Sequence, residues 1–539
     1  MYVFQSIAKA LAENDVKTVF GLMGDANLFM VNHFVREEGG AFIPFVHEAG
    51  TVLAACCYAH VTGGVGVATV THGPAFTNCI TALVEGVRNN AQIVLLAGDT
   101  AAEAKHNLQN IDQRELAKST GAGFEQVRSA ATAAEDIAVA FQRCKAEKRP
   151  IVVNMPVDFM WQETDHQDRS RKTFSAPSMV PEGDDFDDAI GMIASARRPL
   201  ILAGLGAAGA RAALIRLSER LEAPLATTLL GKEMFLGHPA NIGVFGTLST
   251  PGAYDIIGSC DCVIVFGSSL SQFTTDQGKL LIGKRVVQID TDTRAVGGIY
   301  QPDVALIADA GLTAQNIVHW LNEAEITPSG FSREIDPTSV LKHPAGEQHK
   351  TTEGFVNFEF ALDRMDRGLP ARRTVVCDGG RFVTEVWCRI AATDPRHFVK
   401  STRFASIGLG LPMAIGAACA DPDRPTLCFT GDGGFMAGGL TEFNTAVRGK
   451  LDLIVVVCND AAYGAEHIQF KDRQLDPSLS QFDWPSFAET ANALGGVGLE
   501  VANDDDLERA LDAVAKRDPT KPMLIDLKLD PDNVPRMRH

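Results

Sequence analysis

Short apolar runs, each closed by a small or polar turn, recur along the whole chain and alternate with stretches of helical period. Within the first 165 residues, 4–13 repeat apolar positions at helical spacing, while 18–22, 42–46, 65–71, 93–97 and 150–154 are apolar runs of strand length. Residues 51–62 and the segment opening at Phe76 read as helices between them. Runs that are apolar throughout, instead of alternating, are expected of strands covered on both faces, and therefore of a parallel sheet between helices. The pattern returns at 200–202, 262–266 and 285–289, and again at 374–377, 426–430, 453–458 and 523–527. Two polar, unpatterned stretches separate these blocks: 163–176, with Asp165, His166, Asp168, Arg169 and Arg171, and 326–352, with Pro328, Ser329, Gly330, Pro337 and Pro344. The chain is predicted to be an α/β protein of three doubly wound parallel-sheet domains, spanning 1–165, 185–325 and 355–530. The first and third are similar in size, although no repeat is visible by residue identity. The polar tail from Asp530 to His539 is expected to fray.

Composition narrows the function classes. A length of 539 residues calls for two to four cores. A formal net charge of −18 disfavours nucleic acid or an anionic membrane as partner. The 11 cysteines are odd in number and irregularly spaced, as expected of reduced cytoplasmic thiols used as small apolar residues, and they form no zinc-like cluster. The N-terminal stretch is an amphipathic helix with Glu13 and Asp15 rather than a signal peptide, and no apolar run reaches the roughly 18 residues that cross a bilayer. A cytoplasmic enzyme is the expectation.

The richest chemistry lies between Thr430 and Glu466. Thr430-Gly431-Asp432-Gly433-Gly434 closes one buried strand and opens a helix, leaving backbone N–H groups free for a phosphate and a carboxylate for Mg²⁺. A second buried strand, 453–458, ends on Asn459 and Asp460, again oxygen ligands, followed by Ala461-Ala462-Tyr463-Gly464-Ala465-Glu466. Two strand ends with oxygen ligands and a Gly-rich helix start between them describe a Mg²⁺–diphosphate site. In the middle block, Gly204, Gly206 and Gly209 follow a strand with the loose spacing of a dinucleotide turn, and close helix–sheet packing explains them equally.

This constellation resembles the thiamin-diphosphate enzymes of the pyruvate decarboxylase, benzoylformate decarboxylase and acetolactate synthase group, over nearly the whole chain. The resemblance implies a pyrimidine-binding, a middle and a diphosphate-binding domain, with thiamin diphosphate and Mg²⁺ as cofactors. It also implies active sites shared between subunits, hence a homodimer or homotetramer. Glu48, in His47-Glu48-Ala49-Gly50, matches the family's catalytic glutamate, which hydrogen-bonds the aminopyrimidine and so activates the thiazolium carbon. Ile407, in Ser406-Ile407-Gly408, matches the bulky residue that keeps the cofactor bent, and the backbone of Ala405 and Ile407 would bind the pyrimidine edge. Diphosphate contacts are implied for Gly431, Gly433, Gly434, Tyr463, Gly464 and Ala465, with Gly380, Arg381 and Phe382 close by. If Tyr463-Gly464 anchors the comparison, Asp432, Asp460 and the Ala462 carbonyl hold Mg²⁺, and the segment 434–442 carries one extra residue; without that residue, Asn459 is the ligand.

Further matches bear on the reaction. Gly24-Asp25-Ala26-Asn27, Lys105-His106-Asn107-Leu108 and Tyr463-Gly464-Ala465-Glu466 are similar to segments of 2-oxo acid decarboxylases that supply Asp, His and Glu to proton movement. His72, in Thr71-His72-Gly73-Pro74, is a further candidate proton donor. The stretch from Asn107 to Gln113 is similar instead to acetolactate synthases and 2-hydroxyacyl-CoA lyases, which would bring Gln109 near the reacting carbons. The middle block has no clear match to flavin-contacting segments, so FAD is not expected. The implied activity is C–C lysis or ligation on a 2-oxo acid: decarboxylation to an enamine, then protonation or attack on a second carbonyl. The alternatives are an acetolactate-synthase-type carboligase, a flavin-linked oxidase and a silent scaffold subunit.

Overall fold

The computed structural model describes residues 1–170, 179–343 and 352–536. The expected linker positions Arg171 and Pro344 lie outside these residues. Three sheets of six strands each account for the chain's apolar runs. The first comprises β1 (Thr18–Gly21), β2 (Ala41–Pro44), β3 (Gly66–Val70), β4 (Ile93–Asp99), β5 (Gly123–Gln126) and β6 (Ile151–Pro156). The second comprises β7 (Pro199–Ala203), β8 (Leu225–Thr227), β9 (Asn241–Val244), β10 (Cys262–Phe266), β11 (Arg285–Asp290) and β12 (Val304–Ile307). The third comprises β13 (Thr374–Cys377), β14 (Phe398–Lys400), β15 (Thr426–Gly431), β16 (Leu453–Asn459), β17 (Val497–Val501) and β18 (Met523–Lys528). The strand pairs of all three sheets are parallel, and the uniformly apolar runs β3, β7, β10 and β16 are buried throughout, as strands between two helical layers must be.

The sheet orders are β2-β1-β3-β4-β6-β5, β12-β11-β10-β7-β8-β9 and β14-β13-β15-β16-β18-β17. Renumbered from their own first strands, the first and third are the same topology. The repeat that residue identity hides is therefore present in the chain's path. The middle sheet has the order of a dinucleotide-binding fold. At its switch point a side chain on Gly204 would come within 2.1 Å of the Gly267 carbonyl oxygen, so this glycine serves close backbone packing.

The first and third domains of the chain share one core. The helix Glu48–Thr62 lies against the helix Gly410–Ala420, and both are buried nearly all round, which explains their lack of a polar face. Their approach is so close that a Cβ on Gly416 would sit 2.1 Å from the Ala54 carbonyl oxygen. Two buried carboxylates complete the junction. Glu442, on the helix Leu440–Gly449, accepts from the His47 and Val46 amides at 3.0 and 3.3 Å and from the Thr445 hydroxyl at 2.7 Å. Glu85, fully buried, accepts from the Arg403 and Phe404 amides at 3.2 and 2.5 Å. Each carboxylate thus satisfies backbone N–H groups of the other domain, which would otherwise be orphaned.

The tail differs from expectation. Asp532 pairs with His467 at 2.9 Å and Lys471 at 2.6 Å, and Arg536 with Asp472 at 2.5 Å. These contacts hold the chain as far as Arg536 against the helix Gly464–Asp472. None of the 11 cysteines forms a disulfide, and nine are buried, where desolvation raises their thiol pKa. Among the described residues no helix is long and apolar enough to cross a membrane.

One glycine substitution tests the helix junction, and a second, in the middle domain, serves as its contrast. Gly416→Ala should destabilise by about 1–3 kcal/mol through overpacking. Gly191→Ala, in the open interior of the helix Asp184–Ala194, should stabilise by about 0.5–1 kcal/mol. Urea unfolding followed by circular dichroism reads both.

Candidate active site

The carboxyl ends of the third sheet carry a cradle at its switch point, between β13 and β15, where open α/β sheets bind ligands. Its keystone is Asp378, which follows β13 and is fully buried. One carboxylate oxygen accepts from Gly379 N–H at 2.8 Å, the Ser401 hydroxyl at 2.9 Å and Leu409 N–H at 3.3 Å. The other accepts from Gly408 N–H at 2.9 Å and the Thr430 hydroxyl at 3.0 Å. Burial pushes its pKa up and these donors pull it down, so one side chain ties the ends of β13, β14 and β15 together. Sequence reading passed Asp378 over; an Asp closing an apolar strand before Gly-Gly was the available signal.

Asp432 opens the helical segment after β15. One oxygen accepts from Gly433 N–H at 2.8 Å, the other from Ala462 N–H at 3.0 Å and the Trp484 indole at 2.9 Å. Trp484 is a second residue that sequence reading did not single out. Asp460 is buried beside it, and its Oδ2 lies 2.5 Å from where a Cβ on Gly464 would be. Burial first, and for Asp460 also repulsion from Asp432, raises the two carboxyls to about 6 and about 7. Two oxygen donors that repel each other in a buried site suit a hard divalent cation between them. Among the described residues no three His, Cys, Asp or Glu side chains cluster for a metal, so a cation here would take further oxygens from a backbone carbonyl or a ligand.

Asn459 is otherwise engaged. Its amide donates to Asp526 at 2.8 Å and its oxygen accepts from Ala461 N–H at 3.1 Å. The extra residue expected in 434–442 coincides with a wide π turn over Phe435–Gly439, the usual way a helix absorbs a single insertion.

Ile407 and Tyr463 overhang the cradle, 39% and 41% exposed, and Ile407 Cδ1 is 3.9 Å from a Cβ position on Gly433. Ala405 and Ala461 hold φ of 66° and 50°, strained for residues other than glycine, on either side of the cradle. Gly380, Arg381, Gly431, Gly433, Gly434, Ala462, Gly464, Ala465 and Glu466 line the same cleft. Arg381 is not free to meet a ligand: its guanidinium donates to the carbonyls of Pro531, Val534 and Pro535 in the tail.

The first-domain candidates gather elsewhere, at the carboxyl ends of the first sheet. Glu48 is the first residue of its helix, capped by His47, and its Oε2 accepts from Asn78 at 2.9 Å. Asp25 is exposed in the turn after β1, which buried Asn27 builds by accepting from Gly24 N–H at 2.8 Å and donating to Leu22 O at 3.1 Å. His72, after β3, is 9% exposed, and its Nδ1 has no hydrogen-bond partner among the described residues. The Gln109 backbone packs on Gly73, whose N–H donates to buried Gln113 at 3.1 Å. His106 lies outward on the same loop as Leu108, which is fully exposed. Asp25, Glu48, His72, His106 and Gln109 do not line the cleft of the third domain. The first-domain candidates and the cradle thus do not share one cleft.

Family models match in three consecutive blocks: thiamine pyrophosphate enzyme N-terminal TPP binding domain at 1–118, central domain at 186–317 and C-terminal TPP binding domain at 378–527. The chain belongs to the thiamine pyrophosphate enzyme family. Relatives include the sulfoacetaldehyde acetyltransferase of Alcaligenes xylosoxydans xylosoxydans, 27% identical across 96% of this chain and 91% of its own. A Pseudomonas aeruginosa protein named "Probable 2-ketoarginine decarboxylase" is 29% identical across 94% and 91%. The large subunit of acetolactate synthase isozyme 2 of Escherichia coli is 27% identical across 98% and 95%. These names divide among acetyl transfer, decarboxylation and acetolactate synthesis. Membership therefore establishes a thiamine pyrophosphate enzyme and leaves the reaction open.

Asp460 and Asn459 are separable by experiment. Asp460→Ala should raise the Mg²⁺ concentration needed to retain thiamin diphosphate in equilibrium dialysis by about ten-fold or more. Asn459→Ala should leave that requirement unchanged and cost about 1–2 kcal/mol of stability through the lost buried hydrogen bonds.

Proposed function

We propose that the protein is a thiamin-diphosphate- and Mg²⁺-dependent lyase of 2-oxo acids that acts by non-oxidative decarboxylation. The observation that carries this reading is the large, exposed, apolar Ile407 standing over a glycine cradle that ends on two buried carboxylates. An exposed isoleucine beside a polar cradle has no packing reason in the chain itself and suits a prop for a bent cofactor. When bound, thiamin diphosphate supplies a nucleophilic carbon and a sink for the electron pair left by departing CO₂.

The chain's own groups then divide the work. Asp432, Asp460 and the Ala462 carbonyl hold Mg²⁺. The N–H groups of Gly433, Gly434, Gly464 and Ala465, at helix starts, meet the diphosphate. Glu48, oriented by Asn78, holds a proton at the ring nitrogen of the aminopyrimidine. Glu466, exposed in the cleft, delivers the proton that ends a decarboxylation, with Asp25, His72 and His106 as the other groups able to move protons. Since Glu48 and the cradle of one chain do not share one cleft, two copies are needed: Glu48 of one meets the cradle of the other in a homodimer, or in a homotetramer built from such pairs.

A second reading, carboligation of the acetolactate synthase type, is favoured by the loop that packs Gln109 on Gly73 beside His72. Such a loop would hold an acceptor carbonyl at the first-domain half-site.

Incubation of the protein with a panel of 2-oxo acids, thiamin diphosphate and Mg²⁺ tests both. CO₂ with an aldehyde product supports the first reading, an acyloin-type product the second, and no CO₂ from any member contradicts both. Glu48→Gln should bind cofactor and lose about 10²–10⁴-fold in turnover.

A further inference from the structure

The cleft that holds the cradle continues beyond it, among residues of all three domains, to a volume of ≈ 1360 Å³. Four lysine or arginine side chains line it: Lys148, Arg381, Lys400 and Arg403. Arg381 is taken up by the tail carbonyls. Lys148, at the rim, faces Asp290 and Asp292 of the middle domain, and Asp292 also pairs with Arg294 at 2.8 Å. Lys400 and Arg403 are different. The Lys400 ammonium donates to the Thr402 hydroxyl at 3.0 Å and lies 5.1 Å from the centre of the Trp387 ring. Among the described residues, neither it nor the Arg403 guanidinium forms an ion pair with a carboxylate. The nearest acid is Glu85, whose oxygens already accept from the Arg403 and Phe404 amides and from Asn89.

Lys400 is half-buried and Arg403 is exposed beside it, so it is the ammonium that bears the cost of a partly desolvated cation without an acid at hydrogen-bond distance. Burial first, and then repulsion from Arg403, pushes the Lys400 ammonium down to about 8. A bound anion removes that cost. β14 and β15 flank β13, so Lys400, closing β14, stands about 10 Å along the sheet edge from the diphosphate turn. That is the reach of a small organic acid with one end over the cradle. Thr402 and the middle-domain hydroxyls of Ser268, Ser269 and Ser271 line the same cleft and can complete the hydrogen bonds.

We propose that Lys400 and Arg403 form an oxyanion subsite, taking a carboxylate or phosphate that is either the distal group of the organic substrate or a separate inorganic ligand. The proposal rests on the 2-oxo acid reading only for which molecule carries the anion, since binding needs no turnover.

The test is calorimetric titration of the protein saturated with thiamin diphosphate and Mg²⁺, at constant ionic strength, with inorganic phosphate and separately with glutarate. Saturable binding of either supports the subsite; phosphate alone points to a phosphate ligand and glutarate alone to a carboxylate tail. Lys400→Met and Arg403→Met should each weaken binding by about ten-fold, and Lys400→Arg should retain it. Equal binding by wild type and Lys400→Met overturns the proposal, as does no saturable binding of either anion. Anion binding seen only before cofactor is added also overturns it, because the pair would then serve the cofactor's own diphosphate. A protein inert toward every 2-oxo acid that still binds anions through Lys400 separates failure of the functional reading from failure of the subsite.

Discussion

The packing of the helix Glu48–Thr62 on the helix Gly410–Ala420 is the constraint from which the rest of the architecture follows. It fuses the first and third domains into one core, with Gly416 against the Ala54 backbone and two buried glutamates bonded across the seam. The seam also determines where the chemistry points. Glu442 lies on the helix that continues from the Asp432 cradle through the π turn, and it grips the amides just ahead of Glu48. Arg448, on the same helix, donates to the Pro44 carbonyl at 2.9 Å. The loop that delivers Glu48 is therefore held by the third domain of its own chain while Glu48 is kept out of that chain's cradle. A second copy that brings its Glu48 to this cradle is what we propose.

Charge is distributed along the cleft with little left over. Asp378 takes donors from three strand ends, Arg381 donates to tail carbonyls, and Asp432 and Asp460 are buried close enough to repel each other. What remains unbalanced is one pair of carboxylates and one pair of cations, at either end of the same sheet edge. A ligand set with a metal–diphosphate at one end and an oxyanion at the other would neutralise both.

The three sheets were legible because buried parallel strands are apolar throughout, and the cradle because glycines and acids at strand ends are rare together. Identical topology in the first and third domains was not legible, since chain path constrains hydrophobic pattern and leaves residue identity free. Asp378, Trp484 and Glu442 escaped notice for a related reason: each acts through contacts 23 to 396 residues away along the chain, to which local pattern is blind. Arg381 lines the cleft as expected, but its guanidinium donates to carbonyls of a tail that local pattern describes only as polar and that is bonded as far as Arg536. The alternatives Asn459 and Asp460 differ by one residue of register, and the π turn and the Asp526 contact of Asn459, on which we favour Asp460, exist only in three dimensions.

The central claim is that Glu48 of one copy works on the cradle of another. Co-expression of a Glu48→Gln chain with an Asp432→Ala chain, each inactive alone, tests it directly. Mixed dimers then contain one doubly altered site and one intact site, so the account predicts recovery of about a quarter of wild-type activity for random pairing. No recovery from mixed dimers shown to have formed would contradict it.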